Sequence, residues 1–304
     1  AARPLGVQPL SWWESRMTWV AVILDGLILG GVYALIALGL NLQYAVAGIL
    51  NLAYGELVML GALLTYTSYT VWGLSPLVSL LGIGVAAGLV SSGAYVAGLR
   101  RIFRMDRREA EVAMLLLTFA LLFLLQSSAL MLWGAELRHY SFWSEPVFLL
   151  GHPFSTNRLV AAGGAFLLSG ILYGILRWSS LGRVLRGMAD NPRAAQLVGV
   201  GVERYRLVAF GIGGVLAGAA GTLLSMFWSF SPTAGIDVTV RALVVIVLGG
   251  IGSAVGSLAA GLLLGLAESM VSAVWDPALR LTVNFAVLTA ILLWRPRGLF
   301  GWRT

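Results

Sequence analysis

The chain has 304 residues, 59% of them hydrophobic and 11% charged, with a mean hydropathy of +0.89 and a net charge of +7. A soluble domain is about a quarter charged, so this composition marks an integral membrane protein and directs the positive charge to membrane topology rather than to nucleic acid. Cysteine and lysine are both absent, which excludes disulfides, thiolate chemistry and the lysine of a nucleotide-binding P-loop.

Residues 1–18 place Trp12 and Trp13 beside Glu14 and Arg16, an interfacial pattern ahead of a first span. No cleavable leader is evident, and a chain that starts at Ala1 is expected to be trimmed or processed. The first span is expected over 19–40 and the second over 44–71. Both are continuously apolar runs long enough to cross a bilayer core as helices, without the alternation of a barrel strand. The second carries Asn51, Tyr54 and Glu56 between Gly48 and a glycine at 55. A carboxylate at membrane depth costs roughly 2.5–3.5 kcal/mol on insertion scales, and such groups face a bundle interior or a water-filled path. Glu56 therefore lines a translocation path or braces its gate, or else is a buried carboxylate bonded to a neighbouring helix. Asn51 reads either as part of that path or as interhelix glue. Tyr54, about one turn from both, is expected to share their face.

The third span, 76–99, is rich in small residues that allow close helix approach. It ends in Arg100-Arg-Ile-Phe-Arg-Met-Asp-Arg-Arg-Glu109, whose five arginines mark a cytoplasmic loop. A leucine-rich, lipid-facing fourth span follows over 112–133. The aromatic loop 134–158 is expected outside. It holds both histidines, His139 and His152, without ligand-like spacing, so no metal site is expected. The fifth span is 159–178. The longest polar insertion, 179–206, contains Arg183, Arg186, Arg193, Arg204 and Arg206 and is cytoplasmic. Within it Leu181, Val184, Leu185 and Met188 fall at helical spacing. Asp190-Asn191-Pro192 then reads as a turn and restart, and Ala194, Ala195, Leu197 and Val198 as a second short helix.

The sixth span, 207–228, leads through the loop 229–239 into an apolar stretch 240–274, and a last span covers 278–294. The basic tail belongs inside, which fails if 240–274 crosses once. The cluster Gly249-Gly250-Ile-Gly252-Ser253 splits that stretch into two arms and restores the charge rule. Irregular backbone at depth is tolerated only where protein buries it or water reaches it, so this cluster is a second candidate for the path, or a tight turn with close packing. Glu268 lies in the longer arm, and Arg241 is its partner if the fold brings them together. Gln126 and Asn284 read as packing hydrogen bonds. Two glycine-interrupted segments, each with a glutamate and one in each half, point to a binding or gating site at a repeat interface. The expected fold is an all-α polytopic bundle of about eight to nine membrane segments, some broken or re-entrant. It forms one transmembrane permease domain over 1–304, with 179–206 inserted in it.

Several segments, in this order, resemble the permeases of branched-chain amino acid ABC importers. They are Gly30-Gly-Val-Tyr-Ala-Leu-Ile-Ala-Leu-Gly39, Gly48-Ile-Leu-Asn-Leu-Ala-Tyr-Gly-Glu-Leu-Val-Met-Leu-Gly61, residues 181–199, residues 242–268 and Arg295-Pro-Arg-Gly-Leu-Phe300. Asn51 followed by the Gly-Glu pair is similar to the shorter of the two permease paralogues. Tyr54 departs from it, since many members carry histidine there. The resemblance implies a bacterial inner-membrane permease that works with a second permease, two cytoplasmic ATPases and a periplasmic substrate-binding protein, and has no cofactor. It also implies that Leu181, Arg183, Leu185, Arg186, Asp190, Asn191, Pro192, Ala194, Ala195 and Leu197 form the coupling helices that engage an ATPase. The alternative for these helices is an amphipathic element lying on anionic lipid. The alternative for the whole chain is an ion-coupled transporter or channel for a small polar solute. An integral membrane enzyme is disfavoured by the lack of any clustered catalytic set.

Overall fold

The computed structural model describes residues 12–103, 105–149, 152–275, 279–295 and 298–300. The chain folds as α1 (Trp12–Ala47), α2 (Tyr54–Trp72) and α3 (Pro76–Ala94). A π turn, Tyr95–Leu99, and the short α4 (Arg100–Ile102) extend α3, and α5 (Arg107–Trp133) follows. A two-stranded antiparallel hairpin, β1 (Pro146–Leu149) and β2 (His152–Ser155), precedes α6 (Thr156–Trp178). Then come α7 (Ser180–Asp190), α8 (Pro192–Leu197), α9 (Val202–Ser225), α10 (Gly235–Gly249), α11 (Ala254–Val274) and α12 (Arg280–Trp294). Local chemistry sets many of the boundaries. Ser75 caps α3 with Pro76 at its first position, Ser179 caps α7, Asn191 caps α8 ahead of Pro192, and Ser253 caps α11. Gly73, at φ 65°, closes α2.

The architecture is an all-α membrane bundle. Six helices among the described residues are long and apolar enough to cross a bilayer: α1, α3 with its extension, α5, α6, α9 and α11. α10 and α12 are 15 residues each, and α2 is diluted by Thr65, Thr67, Ser68 and Thr70. α1 and α9 form the centre. α1 packs on α11, α9, α6 and α10, and α9 packs on α3 and α2 as well. α5 lies outside this centre and exposes Leu116, Phe119, Phe123, Leu124 and Met131, as a lipid-facing helix does.

The expected second span, 44–71, is not one helix. α1 runs on through Ala47, Gly48 turns the chain at φ 74°, and residues 48–53 climb back into the bundle before α2 starts at Tyr54. Asn51 thus lies in a break rather than on a helix, and Glu56 sits in the first turn of α2 rather than mid-span. The expected loop 229–239 is shorter too, because α10 already begins at Gly235. The arm from 240 to 274 does divide at the glycine cluster. α10 ends at Gly249, Gly250 and Gly252 adopt φ of 96° and 86°, and α11 returns from Ala254.

Close backbone contact holds α1 to α11. A Cβ on Gly265 would lie 2.4 Å from the Gly30 Cα, a separation that no side chain can relieve. Gly265→Ala is expected to destabilise the bundle by about 1–3 kcal/mol, read as a lower thermal midpoint of the purified protein in detergent. An unchanged midpoint would show that the two helices separate without cost.

Candidate translocation site

Three polar centres lie along α10. The first joins the two broken segments. The backbone N–H of Gly55 donates to Thr239 Oγ1 at 3.0 Å, and Thr239 Oγ1 donates to the carbonyls of Gly235 at 3.0 Å and Leu52 at 3.3 Å. The first turns of α2 and α10 therefore meet inside the protein. Glu56 lies at that meeting point, 0% exposed, against the backbone of Gly235, where a Cβ would come 2.3 Å from the carboxyl carbon. Only glycine leaves room there. Neither carboxyl oxygen of Glu56 has a hydrogen-bond partner. The two helix N-termini carry partial positive charge and favour an anion at this position.

Asn51 and Tyr54 support the break rather than join Glu56. Asn51 donates to Gln43 Oε1 at 2.9 Å, and its Oδ1 accepts from Ala53 N at 3.1 Å. Gln43 reaches Ser91 and the Phe210 carbonyl, and Tyr54, fully buried, donates to the Gly213 carbonyl at 3.1 Å. The side chains of Asn51 and Tyr54 thus pin the break between α1 and α2 to α1 and α9. Gln43 and Thr239 carry much of this and went unnoticed in the sequence, where each is one polar residue beside an apolar run.

The second centre surrounds Glu268, which is also fully buried. Tyr33 donates to its Oε2 at 2.8 Å and Asn284 to its Oε1 at 2.6 Å, so Asn284 is the packing hydrogen bond expected of it. Arg241 does come to Glu268, with Nε 3.5 Å from Oε1, an ion pair without a hydrogen bond. Its guanidinium carbon lies 5.0 Å from the centre of the Trp228 ring. α1, α10, α11 and α12 are thereby tied through one carboxylate.

The third centre is the glycine joint between α10 and α11. Asn41 accepts from Gly252 N at 2.8 Å and donates to the Ser253 carbonyl at 3.0 Å and Ser257 Oγ at 2.7 Å. Gly249 packs against Gly256, and residues 298–300 add Leu299 N to the Leu248 carbonyl and Phe300 N to the Gly249 carbonyl. Gly249, Gly250, Gly252 and Ser253 form a closely packed turn at the arginine-rich end. About 14 residues of helix, roughly 21 Å, separate them from Glu56.

α7 and α8 sit beside this joint. Leu185 and Met188 are buried and Leu181 and Val184 half-buried, whereas Arg183, Arg186 and Asp190 point outward. Arg186 also donates to the carbonyl of Leu176 at the end of α6. A cavity of about 60 Å³ is lined by Asn41, Leu185, Arg186, Ala189, Gly252 and Ala254, among others, and so lies between α7 and the joint. Asn191 Oδ1 accepts from Arg193 N and Ala194 N, each at 3.0 Å. Ala195 is buried, while Leu197 and Val198, 90% and 80% exposed, present an apolar tip.

Helices broken inside a bundle, an unpartnered buried carboxylate where they meet, and an apolar tip outside it define a membrane transport subunit. A family model described as "Branched-chain amino acid transport system / permease component" matches residues 22–292. The chain belongs to that family, and is a permease component rather than an enzyme. It is 28% identical over 299 residues to the high-affinity branched-chain amino acid transport system permease protein LivH of Escherichia coli, covering 95% of this chain and 97% of the relative. It is 28% identical over 291 residues to BraD of Pseudomonas aeruginosa, covering 92% and 94%, and 26% identical over 296 residues to a probable LivH of Methanocaldococcus jannaschii, covering 92% of each. No solved structure matches significantly.

Removing Arg241 alone leaves Glu268 buried without its counter-charge. Arg241→Met is expected to cost about 3–5 kcal/mol in thermal or denaturant unfolding, and adding Glu268→Leu is expected to recover a large part of it. Equal losses in the single and double variants would mean that the ion pair contributes nothing.

Proposed function

We propose that this permease component and a second permease together form the path of an ATP-driven importer for branched-chain or related amino acids in a bacterial inner membrane. Two cytoplasmic ATPases drive it and a periplasmic binding protein supplies the cargo. The cargo class rests on what LivH and BraD are named for. In this reading α2, α10 and α12 complete nine membrane segments with the six full spans, α2 and α10 being the broken ones. The arginine-rich end is cytoplasmic.

The observation that carries the mechanism is that α7 packs on α1 beside the α10–α11 joint, and that the other end of α10 meets the start of α2 at Glu56. An ATPase engages the outward residues of α7 together with the apolar tip of α8. Closure of the ATPase pair moves α7 against Asn41 and Gly252, which hold the α10–α11 joint. α10 transmits that motion to its first turn, where Gly235 and Thr239 hold the start of α2. When the two first turns part, Glu56 becomes an acceptor facing the path. Glu268, with Tyr33, Asn284 and Arg241, braces α10 from the other side.

The test is to purify the chain with its partner subunits, reconstitute it in proteoliposomes and measure which solute stimulates ATP hydrolysis and enters the vesicles. Stimulation by branched-chain amino acids is expected, and stimulation only by another solute class would refute the cargo assignment. Glu56→Gln is expected to reduce uptake at least about tenfold while the subunits still copurify, since a neutral amide loses a charge-assisted bond. Uptake at the wild-type rate would remove Glu56 from the path. Arg186→Glu sets a carboxylate against the carbonyl end of α6, and Asn191→Ala removes about 1 kcal/mol of capping from α8. Both are expected to weaken ATPase copurification without changing membrane insertion.

A further inference from the structure

At the end opposite the arginine loops lies a cleft of about 230 Å³ that shares Arg241 with the second centre. Its walls are Val58, Met59 and Ala62 of α2, Leu224 of α9, Trp228 and Phe230 of the following loop, and Val238 of α10. The charged groups that line it are Asp237 and Arg241, one helical turn apart on α10. Asp237 is exposed, and Arg241 is 9% exposed. Arg241 also lines a void of about 10 Å³ beneath, together with Tyr33, Ile36, Leu224, Val238 and Ala242. It therefore forms the floor between the cleft and the bundle interior.

The chemistry of that floor is incomplete. A guanidinium has five N–H donors in a planar fork suited to a carboxylate. Arg241 is buried, its Nε has no hydrogen-bond partner, and it stands 3.5 Å from Glu268 Oε1, while Tyr33 and Asn284 donate to the two carboxyl oxygens. The cation–π contact with Trp228 uses none of its N–H bonds. Asp237 adds an exposed carboxylate one turn away on α10. Opposite charges beside apolar side chains suit a solute that carries a carboxylate, an ammonium and an aliphatic side chain. The volume is below the roughly 300–1,000 Å³ of a drug-sized site and suits so small a solute.

We propose that this cleft is an outward-facing cradle for a zwitterionic α-amino acid, in which Arg241 takes the carboxylate, Asp237 the ammonium, and Val58, Met59, Leu224 and Val238 the side chain. The inference rests on the transport reading and adds a substrate site inside the permease to it. Cargo leaving the binding protein pauses here, and the same α10 that carries the cradle then moves its floor.

The test uses the complete importer in proteoliposomes, with radiolabelled L-leucine as the probe and the docking of leucine-loaded binding protein measured separately. Asp237→Asn, at an exposed position, and Arg241→Gln paired with Glu268→Gln, which leaves no buried lone charge, are each expected to lower leucine uptake about ten- to a hundredfold while the loaded binding protein still docks. Wild-type uptake of leucine with Asp237→Asn unimpaired overturns the cradle and leaves the transport reading intact. Reduced uptake that tracks weakened docking also overturns it, because the defect then lies at the outer surface. If the wild-type importer carries no α-amino acid, the cargo assignment fails and the cradle falls with it. Should the paired variant fail to assemble, Asp237→Asn decides alone.

Discussion

In a bilayer core no water is at hand for an unpaired backbone amide, and every break in a helix must be repaired by the protein itself. The breaks in this chain exist because particular side chains make the repair. Asn51 and Thr239 receive the first amides of the α2 entry, and Thr239 also bonds the carbonyls of Leu52 and Gly235. Asn41 holds both a donor and an acceptor of the 250–253 turn. These residues sit in or beside apolar runs where an aliphatic side chain would pack as well. What they contribute is the ability of α2 and α10 to start and stop at depth. Glu56, the Gly235 contact and the position of Arg241 all follow from where those starts fall.

Close approach of backbones is the second condition. Glycines along α1, α9 and α11 bring main chains to distances that a methyl group would prevent, and they form the contact surface on which helices associate without a hydrophobic driving force. The consequence is a centre built from α1, α9 and α11 and a periphery of α5 and α6 with large apolar side chains turned outward.

The sequence disclosed the membrane class, the α7–α8 pair with its Asn191 cap, and the division of 240–274, because each rests on a local signal. It also raised the pairing of Glu268 with Arg241, which needed only proximity to become real. A glycine-interrupted segment around Asn51 and Glu56 was legible, but the continuation of α1 through Ala47 was not. Apolar periodicity runs through Tyr44 and Ala45 without a change of character, so the window that averages hydropathy merges the end of α1 with the start of α2. Gly48 alone marks the turn, and nothing near it predicts φ 74°. The partners of Asn51 and Tyr54 lie on α1 and α9, far along the chain, and local spacing carries no information about them. The cleft on α10 was hidden for the same reason: Asp237 and Arg241 read as a loop acid and a span-edge base until α10 is seen to begin at Gly235.

α10 is short, bounded by glycine at both ends, and it touches all three polar centres. A helix is stiff along its axis, so a displacement at Gly249 reaches Gly235 nearly undiminished. The side chains on it are not equally tolerant of such a shift. Thr239 and Gly235 make contacts of hydrogen-bond or van der Waals length with α2, which must either follow or break. Arg241 is held by a 3.5 Å ion pair and a cation–π contact with Trp228, both of which decay gradually with distance. Axial movement of α10 therefore breaks the junction at Glu56 first and leaves the charge balance at Glu268 largely intact. In the proposed mechanism the gate is the junction with the sharp distance dependence, and the brace is the one with the soft dependence.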